Sequence, residues 1–461
     1  MASAFENRLR RTIEMAGTDG QAGPVPVMAI TSERGLAVTS GDKTVGVNVK
    51  FLGKRPAFAR CIASNFASPI PADAKCYGHA ISMPGKFDAV RIGFVHVGGA
   101  GAVVGMTAAV AATDDVGDRS NTNTAAGRRF ATPFRGGVEK NEFSLDGWSR
   151  VTVGGATSWG IADSGGNNIN IAWSDIIEVH GIEDSLNPGV YPLLVRVYGG
   201  TGAFTRTGNT GFADPARFLT EAGKIYAMGC SRVGAADAIG TLANWANLSN
   251  VGFSDADCIA MVIEVWSADG VKTVMLAGDS RFALPPPSLE ATVSYRGVGF
   301  FLEKALSDAG KAVTVARCAR GAQTNATIEQ WANSYYATII PDVTIRLGYS
   351  INNGVPTAAL LATEKTRILK AIEADLSRGV IPVLLPICPY STGFGAALSA
   401  ALDFNAWCKN LGVPYVDVLE RYGDALGGWK AGYNEDANHM TNAGYADLGG
   451  VALRDAVLAL I

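Results

Sequence analysis

The hydrophobic pattern of this chain changes period at Asp269-Gly270. Beyond that point short apolar runs alternate with longer helical patterns. Strands are expected at 271–277, 312–315, 343–347, 380–385 and 415–418, and helices at 299–309, 328–337, 358–377, 396–411 and 443–460. A strand that is apolar on both sides must be covered on both sides, and the intervening helices are what can cover it. The pattern therefore predicts an α/β unit built on a parallel sheet.

Upstream, from 41 to 268, the texture is different. Short β-type runs are separated by Gly, Asn, Asp and Pro: Val90 to Val97 and Asn168 to Trp173 alternate apolar and other residues, and 191–198, 224–228 and 259–266 are further strands. Many short strands with turn residues between them predict a mainly β domain, a β-sandwich. The first 40 residues are polar and Gly/Pro-bearing, and 6–15 can form a short amphipathic helix. At 461 residues the chain exceeds one ordinary core. The expected organisation is a lead-in (1–40), a β-rich accessory domain (41–268) and an α/β domain (269–461).

Composition excludes several function classes. Hydrophobic residues make up 48% of the chain and charged residues 18%, with a net charge of -3, so there is no basic field of the kind nucleic acid requires. No stretch reaches the roughly 20 apolar residues of a membrane span. The opening residues mix both charge signs and lack the apolar core of a secretory signal, which predicts a soluble protein of undecided compartment, cytoplasmic, exported or phage-associated. Seven scattered cysteines without a C-x-x-C pair read as free, buried thiols. His79, His96 and His180 stand at no ligand spacing to one another, so no metal site is expected. Neither Gly98-Gly-Ala-Gly-Ala nor Gly199-Gly-Thr-Gly lies between a strand and a long helix, as a phosphate loop would.

In a parallel sheet functional residues gather where strands end. The first strand runs into Gly278-Asp279-Ser280, where a serine can present both its hydroxyl and its backbone N–H, although Ser is also a common helix N-cap. The second ends before Gly321, which lacks a Cβ and can bring its N–H close to a ligand, or can be a plain turn glycine. The third ends in Ser350-Ile-Asn352-Asn353-Gly354, placing an Asn amide donor at its mouth in what is also a turn sequence. Ahead of the last helix, Asp436 stands three residues before His439, the one histidine after residue 268. That spacing lets the carboxylate hold the Nδ1–H and leave Nε2 free to take a proton.

Taken together and in this order, the four blocks resemble those of the SGNH (GDSL-type) hydrolases, over about 190 residues. The resemblance implies a three-layer α/β/α, flavodoxin-like fold. It also implies a serine ester hydrolase working through an acyl-serine intermediate, with no cofactor and no metal. Ser280 would be the nucleophile, His439 the base and Asp436 its orienting acid; the N–H groups of Ser280 and Gly321 and the Asn352 amide would form the oxyanion hole. Alignment on Ser-x-Asn favours Asn352 over Asn353. The sequence departs from the family at Arg281, where an apolar residue is usual, at Pro285 to Pro287, and in the second block, which lacks the Asn-x-Gly opening. Arg281 and Asn353 are accordingly candidates for substrate contact. An acylated carbohydrate is the first expected substrate, giving a carbohydrate O-acetyl esterase; a lipid or aryl esterase is the alternative within the family. A phage or surface binding protein with a vestigial hydrolase domain is the alternative from another class. Five of the eight tryptophans fall before 268; they read as core residues, or as sugar-stacking platforms where exposed.

Overall fold

A computed structural model describes residues 74–97, 101–116, 133–165, 168–201, 259–266, 270–283, 297–336, 340–390 and 393–461. It also describes Ile239 and strands at 27–31, 35–40, 43–47, 58–62, 67–69, 205–207, 227–233 and 253–254. The expected helix at 6–15, the segment Gly98 to Ala100, Trp245 and Pro285 to Pro287 lie outside the described residues. The stretch read as a lead-in contains two strands, Val27–Thr31 and Gly35–Ser40, which pair antiparallel and continue to Lys43–Val47.

Two larger antiparallel sheets follow. The seven-stranded one is built around Ala74–Met83, Val103–Ala112 and Tyr191–Tyr198, and the five-stranded one around Ala89–Val97 and Met261–Trp266. The strand expected at 224–228 runs instead from Ala227 to Val233 and pairs with Ala74–Met83. Alternate residues explain how the sheets pack. Tyr77, Ile81, Leu193, Val195 and Val197 of the larger sheet join Val90, Ile92, Phe94, Met261, Ile263 and Val265 of the smaller in one apolar cluster. The residues between them, Val95, Ala260 and Val262, point the other way and belong to the core of the C-terminal part. All six residues of Met261–Trp266 are therefore buried, as a strand covered on both faces must be.

The C-terminal part is a four-stranded parallel sheet among the described residues, with β1 (Lys272–Gly278), β2 (Val313–Ala319), β3 (Val343–Leu347) and β4 (Ile381–Leu385) in the order β2-β1-β3-β4. Gly278 is in register with Ala319, and Leu347 with Leu385, so all four strands end along one edge. The chain leaves β1 to opposite sides for β2 and β3, which opens a crevice at the end of β1. Helices cover the sheet in two apolar clusters. One contains Leu302 and Leu306 of α2 (Val298–Asp308) and Ile328 and Trp331 of α3 (Asn325–Tyr336); the other contains Ile368 and Ile372 of α4 (Ala358–Ser377) and Phe404 of α5 (Leu398–Lys409). Before them stands α1, the four residues Ser280–Ala283.

Two expected elements differ. No strand forms at 415–418: Tyr415 makes a single parallel bridge to Leu384. Asp417 then caps α6 (Val418–Tyr422), its carboxylate accepting the Glu420 N–H at 2.9 Å, and this local bond turns the chain into a helix instead. The terminal helix is interrupted. Between α7 (Asn442–Asp447) and α8 (Arg454–Leu458) the turn Leu448–Leu453 is of π type. Gly449 sits there against α2, where a Cβ would come within 2.5 Å of the Val298 carbonyl oxygen, and the wide turn follows that close approach. No helix among the described residues is long and apolar enough to cross a membrane.

Candidate active site

The register of the parallel strands brings the ends of β1, β2 and β3 together. Asp279 and Ser280 follow β1 at once, and the chain turns there because the Asp279 carbonyl accepts the N–H groups of Phe282 and Ala283, both at 3.1 Å. The Asp279 side chain takes the Arg281 N–H at 3.0 Å. These bonds use the three N–H groups after Ser280 and leave that of Ser280 at the head of the turn. Gly278 is required just before it, since a Cβ would lie 2.4 Å from the buried Phe282 ring.

His439 reaches this turn from 159 residues away, with Nε2 at 2.9 Å from the Ser280 hydroxyl oxygen. Its Nδ1 is 2.7 Å from one oxygen of Asp436. The other carboxylate oxygen of Asp436 accepts the backbone N–H groups of Asn438 and His439, both at 2.7 Å. Burial raises the Asp436 pKa, but the bonds from His439 and from the two backbone N–H groups outweigh it and hold the carboxyl below its ordinary value. Asp436 is thus a carboxylate at neutral pH. An ionised Asp436 makes the Nδ1–H tautomer the favoured one, with the Nε2 lone pair turned to the serine.

The turns after β2 and β3 are laced to each other. The Ser350 hydroxyl lies 2.7 Å from the inner oxygen of Asp279 and 2.8 Å from the Gln323 carbonyl. The Asn352 amide donates to the same Gln323 carbonyl at 3.0 Å, and the side chain of Asn325, fully buried, accepts the Ser350 N–H at 2.7 Å. In the β2 turn the left-handed residue is Ala322, at φ 57°, and not the neighbouring Gly321. A residue with a Cβ held there stores of order 1 kcal/mol of backbone strain.

Among solved structures the chain is similar to a lipase/acylhydrolase from Enterococcus faecalis (18% identity over 41% of this chain and 97% of that one, TM-score 0.31). It is similar also to a carbohydrate acetylesterase family member from Sinorhizobium meliloti (14%, 41% and 98%, TM-score 0.31). The Bacillus subtilis protein YxiM aligns over more of the chain (13% identity, 82% of this chain and 80% of that one, TM-score 0.34). No family model and no curated protein matches the sequence.

The two residues offered as candidates for substrate contact have partners within the chain. Arg281 is 4% exposed, and its Nε donates to the Asn438 carbonyl at 3.1 Å. Asn353 is also spent inside the protein, accepting the Asn325 N–H at 3.2 Å and donating to Glu364 at 3.1 Å. Asn352, by contrast, is exposed, and its amide has a second hydrogen beyond the one given to Gln323. Sequence reasoning missed Ser350 and Asn325, whose polar side chains, with the Gln323 carbonyl, bind the strand-end turns together. Their signal was available: polar residues set immediately after apolar strands, where the fold buries them.

The three histidines outside this site have structural partners or lie apart from it. His79 is fully enclosed between two backbone groups, Nδ1 donating to the Val195 carbonyl at 3.2 Å and Nε2 accepting the Ile259 N–H at 2.9 Å. Burial lowers its pKa to about 4, so the ring stays neutral. His96 Nε2 lies 2.7 Å from the Gly101 carbonyl, and His180 is on the surface beside Asp88 and Glu178. Trp148, Trp159 and Trp266 are buried in the β-rich part, so these three are core residues and not sugar platforms.

Proposed function

We propose that this protein is a serine ester hydrolase and that its first substrates are acylated carbohydrates, from which it removes acetyl. The observation that carries the reading is the unbroken line from Asp436 through His439 to Ser280, with contacts of 2.7 and 2.9 Å. A nucleophile, a base and an orienting acid so connected are the parts that acyl transfer needs. The same completeness argues against a vestigial domain.

His439 Nε2 takes the Ser280 proton as the hydroxyl oxygen attacks the ester carbonyl. The oxyanion that forms is met by the Ser280 N–H, the Asn352 amide and an N–H of the Gly321 turn. The imidazolium, stabilised by Asp436, gives its proton to the departing alcohol. Water, deprotonated by the same histidine, then attacks the acyl-serine and releases the acid.

The substrate class rests on the rim of the site. The exposed residues flanking the triad include Asn352 and Asn434, which suit a polyhydroxylated alcohol better than a long acyl chain. In this reading the β-rich region is a sandwich-type accessory domain beside the hydrolase. The test is acetate release from acetylated polysaccharides, run beside nitrophenyl esters of increasing acyl length, with wild type and Ser280→Ala. Activity lost in Ser280→Ala and greatest on acetyl esters is the expected result. Equal activity in the two proteins overturns the serine mechanism, and a preference for long acyl chains overturns the carbohydrate assignment in favour of a lipid esterase.

A further inference from the structure

Two requirements of the triad are met by different parts of the chain. The turn of residues 434–440 sets the internal shape of the acid–base pair: Glu435 N–H bonds to the His439 carbonyl at 3.0 Å, and Asn434 bridges Met440. Those bonds are local, so they shape the turn without fixing where it stands relative to Ser280. Placement needs contacts between the two segments; Met440 is buried in the same apolar cluster as Phe282 and Ala283, and polar contacts add to that. Besides the His439–Ser280 contact itself, the side chain of Arg281 supplies one, its Nε donating to the Asn438 carbonyl at 3.1 Å.

The peptide it grips is the critical one. The N–H of that same peptide, belonging to His439, donates at 2.7 Å to the oxygen of Asp436 that does not face the imidazole ring. Arg281 is itself held from behind. Its backbone N–H bonds to Asp279 at 3.0 Å, its guanidinium lies 3.8 Å from the other Asp279 oxygen, and both side chains are buried. That second Asp279 oxygen is also the one 2.7 Å from the Ser350 hydroxyl, which accepts the Asn352 N–H at 3.3 Å. One buried chain of polar contacts therefore runs from the acid–base turn, behind Ser280, to the Asn352 turn. Taking a guanidinium and a carboxylate out of water is costly, and the contacts of this geometry offset part of that cost while leaving Arg281 Nη2 without a hydrogen-bond partner.

We infer that Arg281, resting on the esterase reading above, is a positioning residue that docks the Asp436–His439 turn onto the nucleophile turn and, through Asp279 and Ser350, sets it in step with Asn352. It touches no reacting atom. Its effect is on the fraction of time in which His439 stands within reach of Ser280, so it acts on turnover and not on substrate affinity.

The test compares Arg281→Leu and Arg281→Lys with wild type by steady-state kinetics on a nitrophenyl acetate ester and by amide hydrogen exchange of the peptide spanning 434–440. In Arg281→Leu kcat falls about tenfold to a hundredfold, the effect expected of a misplacement of about 1 Å, with KM within about threefold. Exchange at Asn438 and His439 accelerates. Arg281→Lys, whose ammonium can still reach the Asn438 carbonyl, recovers part of both. Unchanged exchange in 434–440 overturns the inference, as does a rise in KM at constant kcat, which makes Arg281 a substrate contact. Should Arg281→Leu not fold, Arg281→Lys decides alone, since its shorter reach predicts an intermediate exchange rate and wild-type exchange refutes the docking role. Exchange needs no activity, so loss of the esterase reading, seen as equal hydrolysis by Ser280→Ala, remains distinguishable from failure of this inference.

Discussion

Asp436→Asn tests the acid–base pair most sharply, because the structure dictates which way the new amide must face. One oxygen of Asp436 accepts two backbone N–H groups at 2.7 Å, and only an oxygen can do so. The asparagine must therefore keep its oxygen there and turn its NH2 toward His439 Nδ1. Nδ1 then has to accept, which moves the ring proton to Nε2 and points a donor at Ser280. Flipping the amide to restore the working tautomer gives up two hydrogen bonds of about 1 kcal/mol each and sets N–H against N–H. At least 2 kcal/mol is about a thirtyfold penalty on the competent state. Loss of the carboxylate charge that stabilises the imidazolium adds to it, and the combined fall in kcat should reach about 10³ to 10⁴. The assay is steady-state hydrolysis of a nitrophenyl acetate ester, with thermal unfolding to show that the variant is folded. A folded Asp436→Asn enzyme within tenfold of wild-type kcat refutes the argument.

The two neighbouring asparagines should behave oppositely. Asn352→Ala should lower kcat by about 10² to 10³ with little change in stability, the usual cost of one oxyanion donor. Asn353→Ala, which breaks bonds to Asn325 and Glu364, should lower the unfolding free energy by about 1 to 3 kcal/mol in urea and keep more of the turnover; the reverse order would reassign the donor. The buried His79 gives a stability signature in mild acid. Its folded pKa of about 4 lies below the ordinary 6.5, so the unfolded chain binds more protons between those values. Its contribution is full above pH 6.5 and declines as pH falls toward 4, by up to roughly 3 kcal/mol. Urea midpoints from pH 7 to 4 should show this loss in wild type and a flatter slope in His79→Gln; equal slopes would count against a neutral buried ring.

What the sequence determined by itself is local or periodic. Asp436 and His439 are three residues apart, so one turn of backbone brings their side chains together whatever surrounds them. The strands after Gly270 are recognisable because a run buried on both faces must be apolar throughout, and Ser280 is marked because it follows the first of them. Local capping could still defeat such a pattern, as Asp417 does when it starts a helix where apolar residues suggested a fifth strand. Only the tertiary structure decided how distant residues meet. The 2.9 Å contact between Ser280 and His439 joins the end of β1 to a turn 159 residues on, which no short window of sequence encodes. It also set Asn352 and Asn353 apart, adjacent residues of one type, by bonding one to Asn325 and Glu364 and leaving the other exposed. It turned Arg281 inward as well, because a buried Asp279 and an unfilled carbonyl at Asn438 stood where its guanidinium could reach both. Charge next to a nucleophile is visible in a sequence, but the direction in which it points is set by partners far along the chain.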